Sequence, residues 1–200
     1  AEFKAYNRSV PWAEAMYVPP ECRAYIGEGP NPYHWMLHEG AHQLVRELLQ
    51  VKRTPWIDEG LASYFGSSRI DAGGLHPGTI DRNTYPIWWL PQFRFTGDVD
   101  VDARDGRIIP LRNLIDDTGP PKAAYVNLYY IEYWSLAHFL LEGDGGKHAK
   151  GFERLLTHGA TLADFEREIG PVEQVQRTWY AWLLARRQDV LRDEAVPITP

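Results

Sequence analysis

Cysteine is almost missing from this chain: Cys22 is the only one in 200 residues, so no internal disulfide framework is available. It also lies near no motif that would make it a nucleophile. Long apolar runs are missing too. No stretch approaches the roughly eighteen consecutive apolar residues of a membrane helix, so no membrane span is expected in this chain. Positive charge is in short supply: 21 Lys and Arg face 27 Asp and Glu, for a net charge of −6. With no Lys/Arg cluster to offset that balance, nucleic acid is not expected as a partner. Repeats and low-complexity tracts are absent as well. What the chain does have is length enough for one domain with a sizeable core, residues 1–200, and an ordinary apolar content. It also has eight Trp and eleven Tyr, a supply expected to go mainly into core and groove packing.

The pattern along the chain predicts a mainly α fold with a small β portion. Residues 1–31, broken by Pro11, Pro19, Pro20 and Pro30, read as a reduced β part with strands at Phe3 to Tyr6 and Cys22 to Gly27. Residues 32–67 read as two helices. Tyr33 to Gln50 carries apolar residues at helical spacing, and Thr54-Pro55 is a start signal for a second helix to about Ser67. Residues 70–122 are rich in Gly, Pro and Asp and in aromatics, and read as an elaborate loop with a hairpin turning at Asp105-Gly106. Residues 123–193 read as helical again. Helices are expected over Ala123 to Leu141, 147–157 and 172–192, with a short one near 161–168 and a break at Gly143 to Gly146.

The first of these helices carries His38-Glu39-Gly40-Ala41-His42, an H-E-x-x-H. Residues four apart share a helix face, so two imidazoles reach one cation, while the intervening Glu is turned by about 100° toward its water. Zinc is the metal this pattern suits, and the carboxylate is placed to take a proton from the attacking water. With seven His in the chain, roughly 0.02 such motifs are expected by chance.

A third ligand is needed. The metzincin extension would require Gly at 45 and His at 48, where this chain has Val45 and Leu48. The remaining source is a carboxylate on the second helix, in Trp56-Ile57-Asp58-Glu59-Gly60-Leu61. Glu59 follows His42 with sixteen residues between, room for a short loop and an antiparallel return. Asp58 competes with it, its other role being to complement the positive end of the helix dipole. Gly60 permits close helix approach.

Together these two motifs, His38 to His42 and Trp56 to Phe65, resemble those of the gluzincins, the thermolysin-like zinc metallopeptidases. The chain looks closest to the aminopeptidase-N-like branch and to related bacterial peptidase-like proteins. The resemblance implies a thermolysin-like core of zinc helix, ligand helix and C-terminal helices. It implies Zn2+ held by His38, His42 and Glu59, with Glu39 as general base and a peptide or protein as substrate. Tyr130-Ile131-Glu132-Tyr133-Trp134-Ser135-Leu136 is similar to a later helix whose opening Tyr steadies the oxyanion, which nominates Tyr130, with Tyr129 as its neighbour and rival. The chain departs from the pattern in two places. Only thirty-odd residues precede the zinc helix where gluzincins have a multi-stranded sheet, so the sheet is reduced or lies upstream. The Gly-rich exopeptidase strand is not visible, so aminopeptidase specificity does not carry over. With no initiating Met and no signal peptide in view, the expectation is an exported bacterial protein whose targeting segment has been removed.

The expected function is hydrolysis of peptide bonds. The alternatives are an inactive scaffold that binds a partner through the aromatic loop at 85–95, and a zinc hydrolase of a non-peptide amide. Trp88 and Trp89 are expected to line the substrate cleft. Asp98, Asp100, Asp102 and Asp105 suggest a calcium loop, but Ala103 and Ile109 stand where an EF-hand has Gly and Glu, so a solvated hairpin is expected. His34 is expected to be partly buried without a role, and His138 to be a satisfied core histidine. His76, His148 and His158 are expected in loops or at helix ends.

Overall fold

The computed structural model describes residues 15–18, 21–24, 31–48 and 54–195. Two strands come first, β1 (Ala15–Val18) and β2 (Glu21–Ala24), an antiparallel pair in the register Ala15↔Ala24, Met16↔Arg23. Helix α1 (His34–Leu48) and helix α2 (Pro55–Gly66) follow. A second antiparallel pair, β3 (Arg69–Asp71) with β4 (Gly74–His76), stands wholly exposed. Then come α3 (Val99–Arg104), α4 (Leu111–Ile115), α5 (Val126–Glu142), α6 (Ala149–His158), α7 (Leu162–Glu168) and α8 (Val172–Ala195). The fold is therefore mainly α with a small β portion. No helix among the described residues is long and apolar enough to cross a membrane. The expected strand at Phe3 to Tyr6 lies outside the described residues, as do Gln50 and residues 25–27.

Helix α2 is the middle layer, with α1 on one side and α5 on the other. Its composition suits that place, since Trp56, Ile57, Leu61, Ala62, Ser63 and Tyr64 are buried on nearly all sides. Two glycines let the neighbours close in. A Cβ on Gly60 would sit 2.8 Å from the carbonyl oxygen of Tyr133 on α5, and one on Gly66 would sit 3.2 Å from the Cβ of His38 on α1. At the start of α1, the Asn31 side chain donates to the Ser68 carbonyl (2.9 Å), which ties that helix to the end of α2.

Helix α5 is the core element, buried at every residue from Ile131 to Leu140. The Trp179 indole on α8 donates to Ser135 Oγ across this core (3.1 Å). Glu132 is fully buried, and burial drives its carboxyl well above the ordinary pKa; it accepts the Ile109 N–H (2.7 Å) and so pins the preceding loop.

The acidic run at 98–105 is not a solvated hairpin. It is α3, capped by Asp98, whose carboxylate accepts the N–H groups of Asp100 (3.0 Å) and Val101 (3.1 Å). Aspartate favours turns and helix N-caps through the same short side-chain hydrogen bond, and here the cap wins. Asp102 is buried rather than solvated, and accepts from Thr96, Arg107 and the Tyr180 hydroxyl. The hairpin of this region is β3–β4, thirty residues earlier.

Candidate metal centre

The spacing on α1 puts the His38 and His42 rings side by side, with their Nε2 atoms 3.2 Å apart. Glu59 reaches them from the first half of α2, its Oε2 lying 3.5 Å from His38 Nε2 and 3.6 Å from His42 Nε2. Three donors about 2.1 Å from one tetrahedral ion stand roughly 3.4 Å apart, so this triangle has the size of one face of such a site. Glu59 Oε2 is buried, yet it accepts no hydrogen bond. The two imidazoles stand at the long end of hydrogen-bond range from it, and one carboxylate with two imidazoles around a common point is a donor set that fits a metal ion. These are the residues the spacing nominated, brought together as expected, and no other group of this kind occurs among the described residues.

Asp58 supplies what the sequence reading had not assigned to it. Its Oδ1 lies 3.2 Å from His42 Nδ1, so that nitrogen is engaged by Asp58 and Nε2 is the one that faces His38 and Glu59. It also stands in the first turn of α2, where a carboxylate complements the helix dipole. Burial would lower the His42 pKa, but Asp58 and Glu59 outweigh it and raise the value to about 10. Burial likewise opposes ionisation of Glu59, and the two facing imidazoles overcome it, holding the carboxyl far below its usual range.

Glu39 is buried on the wall of the same cavity, which has a volume of about 340 Å³ and is also lined by β1 and Tyr130. Burial pushes its carboxyl upward, against the pull of His38 and His42. A backbone N–H of Tyr17 on β1 reaches it. Tyr130 stacks on His38 with ring centroids 6.3 Å apart at 29°. Burial, with the Glu59 charge in second place, keeps its phenol protonated far above neutral pH, so it is a hydrogen-bond donor aimed into a carboxylate-lined space. Tyr129 points elsewhere. Its hydroxyl donates to the Pro120 carbonyl (2.8 Å) and its ring is buried.

Residues 35–158, well over half the chain, match the model of a family described as protein of unknown function (DUF1570). The chain belongs to the DUF1570 family. No curated protein and no solved structure matches it. The DUF1570 segment contains every group of the centre: His38, Glu39, His42, Asp58, Glu59 and Tyr130.

Within this DUF1570 domain the aromatic loop contributes differently from what its sequence suggested. Neither Trp88 nor Trp89 lines the cavity at His38. Trp88 packs edge-on against His34 and Trp35, and Trp35 in turn meets His38. Trp89 lines a separate, larger cavity of about 450 Å³ with Phe93 and Tyr125. The loop residue that does reach the centre is Tyr85, whose ring lies 5.1 Å from that of Tyr130 and whose hydroxyl donates to Asn127 Oδ1 (3.5 Å). Nothing local in the sequence singles Tyr85 out from its neighbours. Arg46, also on the cavity wall, was legible in principle, one helical turn beyond His42. Of the other histidines, His138 is buried, its Nε2 2.9 Å from the Gly78 carbonyl. His34 pairs with the Asn31 carbonyl (2.9 Å), and His148 is a buried helix-end residue.

Proposed function

We propose that this protein is a zinc-dependent hydrolase that cleaves peptide bonds, with His38, His42 and Glu59 as the metal ligands. The observation that carries the reading is the 3.2, 3.5 and 3.6 Å triangle of donors around a buried carboxylate oxygen that has no hydrogen-bond donor. The resemblance of the two motifs to those of the gluzincins supports it from the sequence side.

When bound, a zinc ion supplies Lewis-acid polarisation and makes water a usable nucleophile at neutral pH. The chain supplies the rest. Glu39 takes the proton from the attacking water and returns it to the leaving amine; its buried position raises its basicity toward the working range of a general base. Tyr130 donates from its phenol to the oxygen that gains negative charge. Asp58 holds the His42 ring in one tautomer and orientation. Strand β1 forms the wall beside Glu39.

The test is cleavage of a diverse peptide mixture followed by mass spectrometry. Cleavage should appear, stop on chelation and return with zinc. A zinc-loaded protein that cleaves none of the mixture contradicts the proposal. A second reading, a scaffold that binds a protein partner, draws on the larger cavity beside Trp89 and Phe93. It predicts binding that is unaffected by chelation.

A further inference from the structure

One charged group on the wall of the metal cavity has no part in the chemistry above. Arg46 follows His42 by one helical turn, so it leaves α1 on the face that carries His38 and His42, and it lines the same cavity. Three carboxylates share that cavity, and each is turned to another group. Glu59 faces the two imidazoles, Asp58 meets His42 Nδ1, and Glu39 takes the Tyr17 backbone N–H. Among the described residues no carboxylate pairs with Arg46. Its contact is the Tyr17 ring, with the guanidinium carbon 5.9 Å from the ring centroid.

That contact has a consequence for what the arginine can bind. A guanidinium resting on an aromatic face is held in place, while the N–H donors along its edge stay free. The edge is a planar fork that matches the two oxygens of a carboxylate. At about 1.5 Å of rise per residue, Arg46 lies roughly 6 Å along the helix axis from His42. An extended peptide advances about 3.3 Å per residue, so such a carboxylate stands one or two residues from the bond at the metal centre. Among the residues lining the cavity, Arg46 is the one cationic side chain outside the metal centre, while Glu39, Asp58 and Glu59 are acidic.

We propose that Arg46 is a specificity-determining residue that binds a carboxylate of the substrate, so that the site selects peptides carrying one within two residues of the cleaved bond. The proposal rests on the hydrolase reading for what happens to the bound peptide, but not for the binding itself. The carboxylate has two sources, a peptide C-terminus or an Asp or Glu side chain, and both present the same pair of oxygens.

The experiment uses zinc-loaded Glu39→Gln protein, titrated by calorimetry with matched short peptides. They end in a free carboxylate or an amide, and either contain or lack a Glu. A carboxylate should tighten binding about ten- to a hundredfold over the amidated, Glu-free peptide, the range of a charge-assisted hydrogen bond. The acid and Glu arms separate the two sources. Arg46→Ala should erase the difference and Arg46→Lys should keep part of it. Arg46 is exposed, so neither change removes a core contact. Equal affinity for all four peptides, no measurable binding of any, or a preference that survives in Arg46→Ala overturns the proposal. A preference that depends on Arg46, in a protein whose wild type cleaves no peptide, upholds it and overturns the hydrolase reading instead.

Discussion

Glu39 follows His38 directly and precedes His42 by three residues, yet it is assigned different work because a helix turns each residue about 100° from the last. His38 and His42 point one way, into the triangle with Glu59, whereas Glu39 lies on the cavity wall with a raised pKa. Replacing Glu39 with Gln keeps the shape and removes the proposed base. Hydrolysis should fall by about 10²–10⁴-fold, with zinc still bound, as activity assays beside elemental analysis will tell. Full activity in that variant would mean another group takes the proton. Tyr130 differs from Glu39 in holding its proton. On the proposed mechanism, Tyr130→Phe removes the donor to the transition-state oxyanion, at a cost of about 2.7–4 kcal/mol. It should lower kcat and kcat/KM together, roughly a hundredfold or more, while zinc content stays level. An unchanged kcat would return Tyr130 to a packing role. At this scale the sequence was most legible where function follows the helical period, as with His38 and His42. It was less so for Asp58, whose hydrogen bond to His42 crosses between helices. Tyr85 was hidden altogether, because its place beside Tyr130 depends on a loop fold that no local pattern encodes.

The helices meet through positions without side chains. Gly60 faces the Tyr133 backbone so closely that an added Cβ would stand 2.8 Å from its carbonyl oxygen. Gly60→Ala would gain about 1 kcal/mol of helix propensity, but the obstacle is backbone and cannot rotate away. The strain should win, with a net loss of about 1–3 kcal/mol and a lower Tm in a denaturation scan. A Tm equal to or above that of the wild type would show that α2 and α5 have slack between them. Helices that bury a broad apolar face were readable from their period: α1 begins within a residue of its expected start, and α2 and α8 run where expected. The 70–122 region was not. Its aspartates and glycines serve turns and caps alike, so the pattern fitted a hairpin where α3 forms. The true hairpin, β3–β4, has three-residue strands and no buried face, too short a pattern to read as a strand pair.

Across the whole molecule, the centre exists because α2 is held between α1 and α5, which brings residues 38, 59 and 130 to one cavity. Sequence spacing foretold the first pair and only resemblance proposed the third, since the return of α5 to the site is a property of the packed core. The separation of the aromatic loop from that cavity is likewise tertiary: Trp89 turns to the larger cavity and Trp88 to the flank of Trp35. All of this bears on one claim, that the triangle of donors holds zinc. The direct measurement is elemental analysis of protein purified without chelator or added metal, repeated for His42→Ala and Glu59→Ala. The account predicts about one zinc per wild-type chain and near-complete loss in both variants. No zinc in the wild type even after equilibration with the metal, or undiminished zinc in the two variants, would contradict it.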